Sequence, residues 1–276
     1  MDDYDPPERV FGVDFSADRE RAGEKILIAE ARVDDGLRVV DCSRVPDRLD
    51  AGRRRESAIP ALTRFLGGLD GDAAAGLDFP FSLPADVVAV DDWTEFLRRF
   101  PAWADDPEDM ARTSEARASL NGDDGHPMRA TEEPLGAMSP CNLRLRAGTF
   151  YGIRDVLRPL VLSGRVRVPP MQSPSSDHPS LLEVYPAGTL DDLDGHRTRY
   201  KASGEEPRER RAANLDLLVG DGVEVTEEVR ERVLADEDGD ALDAVIAAFA
   251  AAQNAVDPSN LRIDDGRRLL EGHIYV

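Results

Sequence analysis

A chain of 276 residues, 41% of them hydrophobic, can bury a sizeable core, which excludes wholesale disorder. Its net charge of −21 argues against broad attraction to phosphate backbones, and no stretch approaches ~18 consecutive apolar residues, so no membrane span is expected. Cys42 and Cys141 make neither a disulfide framework nor a zinc cluster, and the acidic start lacks a basic-then-apolar leader, so a cytoplasmic protein is expected.

The first strand candidate is Arg9-Val-Phe-Gly-Val-Asp-Phe-Ser, and the second spans 25–33. Asp34-Asp35-Gly36 then turns the chain into Leu37-Arg-Val-Val-Asp-Cys, a hairpin signature. A helix is predicted over 57–69 from the spacing of Ile59, Leu62, Phe65, Leu66 and Leu69, with Pro60 tolerated in its first turn. Ala73-Ala-Ala-Gly-Leu-Asp-Phe-Pro reads as a short buried strand stopped by Pro80. From 83 to 179 the texture changes to polar stretches rich in Pro, Gly and acids, with helices predicted only at 93–100 and 154–162. This segment reads as an insertion, largely helical or irregular, packed on a core of about 8–82 and 180–276. Ser180-Leu-Leu-Glu-Val-Tyr-Pro resumes regular structure as a fifth strand. Helices are predicted at 208–219, 225–234 and 240–252, the last with a stripe of Leu242, Val245, Ile246 and Phe249. His273-Ile-Tyr-Val is a candidate final short strand.

The charge has a particular character. Lysine occurs only at Lys25 and Lys201, so every other one of the 34 basic residues is arginine. Acids come in pairs such as Asp34-Asp35, Asp91-Asp92, Asp105-Asp106 and Asp264-Asp265. In concentrated salt the Debye length is about 3 Å at 1 M, so self-repulsion is screened and carboxylates keep the surface hydrated. Most of the acid excess therefore reads as halophilic adaptation to the solvent rather than as a binding surface.

A few acids do not fit that reading, because they sit among apolar residues. Asp14 lies in the first strand, Asp78 in the fourth and Glu183 in the fifth, while Asp240 and Asp243 open the last helix. Acids are depleted in strands, and a buried carboxylate requires a partner, a raised pKa or a cation. Asp240 and Asp243, at i and i+3, share one helical face. Carboxylates from separate elements suit oxygen-only coordination of Mg²⁺ or Mn²⁺, and two such ions ~3.5–4 Å apart serve in-line phosphodiester cleavage. Each acid also has an ordinary alternative: Asp240 as a helix cap, Asp243 as a solvated helix residue, Asp14 and Asp78 as strand-end turn residues, and Glu183 as the partner of an arginine across the sheet.

Three strands, helix, strand, helix, strand, helix is the ribonuclease H-like layout, a five-stranded mixed α/β sheet flanked by helices. Gly12-Val-Asp-Phe-Ser, Gly76-Leu-Asp-Phe-Pro-Phe, Leu182-Glu-Val-Tyr-Pro-Ala, Tyr200-Lys and Asp240-Ala-Leu-Asp-Ala-Val-Ile-Ala-Ala resemble domain of unknown function family 429, predicted RNase H-like nucleases. The last motif is also similar to Holliday-junction resolvases of that superfamily. The resemblance implies that Asp14, Asp78, Asp240 and Asp243 are the catalytic and metal-holding acids, with Glu183 a peripheral ligand or orienting residue and Lys201 a phosphate contact. It further implies cleavage of DNA or RNA to a 5′-phosphate and a 3′-hydroxyl.

Other signals are weaker. The four histidines lack metal-ligand spacing, and no Gly-rich phosphate loop or Gly-x-Ser-x-Gly elbow is present. Arg53-Arg54-Arg55 and the arginines from 197 to 211 are the basic clusters in which a backbone groove would be sought. The expected function is a metal-dependent nuclease. The alternatives are a non-catalytic nucleic-acid or protein binding module that keeps the fold, and an actin- or sugar-kinase-type phosphotransferase, which needs two such domains.

Overall fold

The computed structural model describes residues 4–121 and 126–276; residues 1–3, part of the acidic start, lie outside the described residues. Seven strands form one mixed sheet: β1 Arg9–Asp14, β2 Leu27–Val33, β3 Leu37–Arg44, β4 Ala73–Asp78, β5 Ser180–Val184, β6 Val223–Val225 and β7 Ile274–Tyr275. Their order is β6-β3-β2-β1-β4-β5-β7. The β1–β2 and β2–β3 pairs are antiparallel and the remaining pairs parallel.

This mixed α/β sheet has two more strands than the five expected. β7 falls on the C-terminal candidate. β6 was not anticipated, because three residues are too few to set an alternating pattern. Val225, read as the start of a helix, is the last residue of that strand.

The longer helices are α1 Arg55–Leu66, α2 Trp93–Trp103, α3 Pro107–Leu120, α4 Arg146–Tyr151, α5 Arg158–Leu162, α6 Pro186–Asp192, α7 Glu205–Gly220, α8 Glu227–Ala235 and α9 Asp240–Ala255. A π-helical segment, Gly152–Leu157, joins α4 to α5. α3 occupies the stretch read as polar and irregular. Its start carries a helix signal, since the Asp106 carboxylate accepts from the Asp109 N–H and Pro107 sits in the first turn. Asp92 caps α2 in the same way through the Glu95 N–H. Among the described residues there is a single sheet, whereas the two-domain phosphotransferase reading requires two.

The alternation of β1 and β4 divides the molecule into two faces. Phe11, Val13, Ala75 and Leu77 share one core with α1 and with Phe96, Phe100, Phe150 and Ile153 from the 83–179 segment. Phe11 meets Phe65 of α1 edge-on, with ring centroids 5.2 Å apart. On the other face Val10 and Ala74 pack under alanines of α9.

α9 is buried on every side from Ala241 to Ala252, not along a stripe alone. The reason lies beneath it. A methyl group on Gly12 would fall 2.0 Å from the Ala244 carbonyl oxygen, and one on Gly76 would fall 2.4 Å from the Ala247 carbonyl oxygen. Two glycines in register on adjacent strands thus let an alanine-rich helix rest directly on the sheet backbone.

Candidate metal centre

Asp14 and Asp78 are the last residues of β1 and β4, and in the parallel pairing they stand opposite each other. Each lies two residues beyond its glycine, on the face covered by α9. α9 brings Asp243, one turn into the helix, over the same strand ends. Carboxylate oxygens of Asp14, Asp78 and Asp243 all lie within 4.8 Å of one another, so the three can hold a metal ion. Asp14 and Asp243 are buried and Asp78 is partly buried.

The electrostatics of the cluster follow from this crowding. Burial, then the neighbouring charges of Asp240, Asp243 and Asp78, hold the Asp14 carboxyl well above its usual range, with Lys201 opposing. Asp78 is pushed up to about 7, first by burial and then by Asp243. Asp240 is raised to about 6 by burial and by Asp236 and Asp243, again against Lys201.

Asp243 is held by two partners. The buried Tyr200 hydroxyl donates to its Oδ1 at 2.8 Å, and the Lys201 ammonium pairs with its Oδ2. Lys201, expected to be a phosphate contact, is therefore engaged with the triad while its side chain stays 46% exposed.

Asp240 lies outside the triad but beside Asp14, and with it lines a separate cavity of about 430 Å³ that also admits Lys25 and Lys201. Asp240 does not cap α9. That position belongs to Gly239, in the left-handed conformation at φ 78°, and the Asp236 carboxylate accepts from the Ala241 N–H at 2.8 Å.

Glu183 is not brought into the triad. Its register partner in β4 is Leu77, one residue short of Asp78, so it points to the opposite face. There the fully buried Arg129 holds both of its oxygens, and the Phe81 N–H donates to Oε2 at 2.9 Å. Arg129 also pairs with Glu132, through Nε to Oε1 at 2.7 Å. The Arg129 guanidinium, costly to bury alone, is held charged by these two carboxylates.

The basic cluster at 53–55 does not form a free groove. Arg53 pairs with Glu24, Arg54 with Glu20, and Arg55 lies over the Tyr151 ring at 3.7 Å. The 197–201 stretch behaves differently. Arg197, Arg199, Tyr200 and Lys201 all border a cavity of about 570 Å³ that reaches Asp78 and Asp243. Arg199 belongs to the 197–211 cluster in which a groove is sought and Tyr200 to the Tyr200-Lys motif, though neither is given a role there, and Arg129 was not anticipated at all. The concentration of three cations and a tyrosine in Arg197-Thr-Arg-Tyr-Lys is the sequence signal for Arg199 and Tyr200, whereas Arg129 has none.

Fold and site together define an α/β protein with a seven-stranded mixed sheet and a carboxylate triad that could hold a metal ion. No protein-family model, curated protein or solved structure matches the chain. No helix among the described residues is long and apolar enough to cross a membrane.

Proposed function

We propose that the chain is a metal-dependent nuclease of ribonuclease H-like type. Asp14, Asp78 and Asp243 hold Mg²⁺ or Mn²⁺, and Asp240 beside Asp14 provides for a second ion. The observation that carries this reading is the convergence of three carboxylates from two adjacent strand ends and the overlying helix, within 4.8 Å of one another. Such an all-oxygen donor set suits hard divalent cations. A mixed α/β sheet flanked by helices, with acids at the ends of adjacent strands, supports this reading.

When bound, the ions supply Lewis-acid and charge-stabilising chemistry at a phosphodiester. The chain's own residues prepare the site for it. Tyr200 fixes the orientation of the Asp243 carboxylate, leaving its other oxygen to Lys201. Lys201 balances part of the carboxylate charge and, on its half-exposed stem, is placed to meet a substrate phosphate.

The test is cleavage of branched DNA, RNA–DNA hybrid and single strands with Mg²⁺ or Mn²⁺ at high salt, alongside calorimetric titration of Mn²⁺. Cleavage and ion binding are expected, and both should be lost in Asp14→Asn. Cleavage that survives this change refutes the site. Absence of both in the wild-type protein leaves a non-catalytic binding module.

A further inference from the structure

A cavity of about 570 Å³ opens beside the triad and extends well beyond the residues that hold the metal. It opens between β5, the 129–145 part of the insertion and the 197–201 stretch, and Asp78 and Asp243 stand at one end. Its walls are mainly apolar: Phe79, Met138, Leu145 and Val184, with Tyr185 alongside.

The Phe79 wall is fixed in place. The ring is 4% exposed, lies 4.7 Å from Phe15 and 5.1 Å from Phe81, and leaves no room for a side chain at Gly152 behind it. Met138, in contrast, is 37% exposed at the rim.

Charged groups complete the lining: Glu132 and Glu183 are neutralised there by the buried Arg129, while two other cations stand free among the described residues. Arg144 and Arg199 border the cavity, are exposed, and make no ion pair among the described residues. Arg199 holds a left-handed backbone conformation at φ 65°, which costs a non-glycine residue about 1 kcal/mol or more. Ligand pockets typically measure ~300–1,000 Å³ and combine apolar walls with a few polar groups. Apolar, partly aromatic walls beside unpaired arginines match a planar, uncharged ring joined to a phosphate.

We propose that this cavity binds one unpaired nucleotide, its base against the Phe79–Met138 walls and its phosphate between Arg144 or Arg199 and the carboxylate end. The proposal rests on the nuclease reading for the direction in which the phosphate points, but the binding itself does not require catalysis. A base that stays paired and stacked in a duplex has both faces covered by its neighbours and cannot lie against these walls. The occupant is either a free nucleoside monophosphate or a nucleotide at an unpaired position of a strand. A chain carrying a charge of −21 gains little from tracking a long polyanion, so capture of a single unit is the economical mode of recognition.

The experiment is calorimetric titration with adenosine 5′-monophosphate, which has no diester bond to cleave, with and without Mg²⁺. Ribose 5-phosphate and inorganic phosphate serve as comparisons. The nucleotide is expected to bind about tenfold or more tighter than ribose 5-phosphate, as base stacking of ~1–3 kcal/mol implies. The rim variant Met138→Glu should remove most of that advantage. Arg199→Gln should weaken nucleotide and ribose phosphate alike and flatten the salt dependence. Equal affinity for nucleotide and ribose 5-phosphate, or nucleotide binding unchanged in both variants, overturns the proposal even if the triad binds metal and cleaves. A short single strand that displaces the mononucleotide places the occupant within a nucleic acid, and failure to displace it assigns the cavity to free nucleotides. A blunt duplex that competes as well as the single strand overturns the restriction to unpaired units.

Discussion

The carboxylate cluster predicts an unusual pH dependence of stability in metal-free protein. Asp78 rises from 3.8 to about 7 on folding, chiefly because it is buried. Between these values the folded state keeps a proton that the unfolded state releases, so this residue's stabilising contribution is complete below pH ~4 and is lost as pH rises to about 7. From pH 5 to 8 the loss covers about two pH units, each worth about 1.4 kcal/mol, or about 3 kcal/mol. At an unfolding entropy of ~2.1 cal/mol/K per residue over this chain, that is about 5 °C in Tm.

His273 acts in the opposite direction. Burial lowers it from 6.5 to about 4, so its contribution to stability increases as pH rises toward 6.5. The informative quantity is therefore the difference between wild type and Asp78→Asn, followed by calorimetry in chelator across this range. The variant should gain about 5 °C on wild type between pH 5 and 8, and Mn²⁺ should raise the wild-type Tm mainly above pH 7, where the ligands are ionised. Parallel pH profiles for the two proteins would refute the assignment of Asp78 as a carboxyl held neutral by its surroundings.

Three further outcomes follow from the packing. Gly12→Ala places a methyl group 2.0 Å from the Ala244 carbonyl oxygen and should cost more than ~4 kcal/mol in urea unfolding, whereas Gly148→Ala, which meets no atom within 4 Å, should be neutral or stabilising by up to ~1 kcal/mol. Arg129→Met strands the buried Glu132 and Glu183 carboxylates and should cost about 3–5 kcal/mol in the same assay, part of which is recovered by adding Glu183→Gln. Tyr200→Phe removes the hydrogen bond that orients Asp243 and should weaken Mn²⁺ binding by about tenfold in titration calorimetry, with little change in Tm.

The strands carrying Asp14 and Asp78 were readable because each ends an apolar run with an acid and a chain-turning residue. Their convergence with Asp243 was readable from the order of elements. For Glu183 the sequence left a peripheral ligand and an arginine's partner both open, and the arginine is found; its face depends on the alignment of β5 with β4, where a shift of one residue decides whether the carboxylate meets the triad or Arg129. Its partner comes from 54 positions away, in a segment without periodicity. The full burial of α9 was hidden because alanine marks neither face of a helix and the glycines that admit it lie in distant strands. The α3 signal at Asp106-Pro107 was masked because paired aspartates recur along the chain at positions that cap no helix, such as Asp34-Asp35.

The sheet separates two tasks. Among the described residues, the triad and α9 occupy one face, the 83–179 segment packs on the other, and the cavity at the strand ends beside β5 is lined from both. On the proposed reading, substitutions at cavity-facing positions of the insertion, such as Met138 and Arg144, would reshape which molecule is admitted while the acids beneath α9 stay as they are. Such a scaffold would diversify its choice of ligand through a few rim positions, without reopening the part of the fold whose tolerances are tightest.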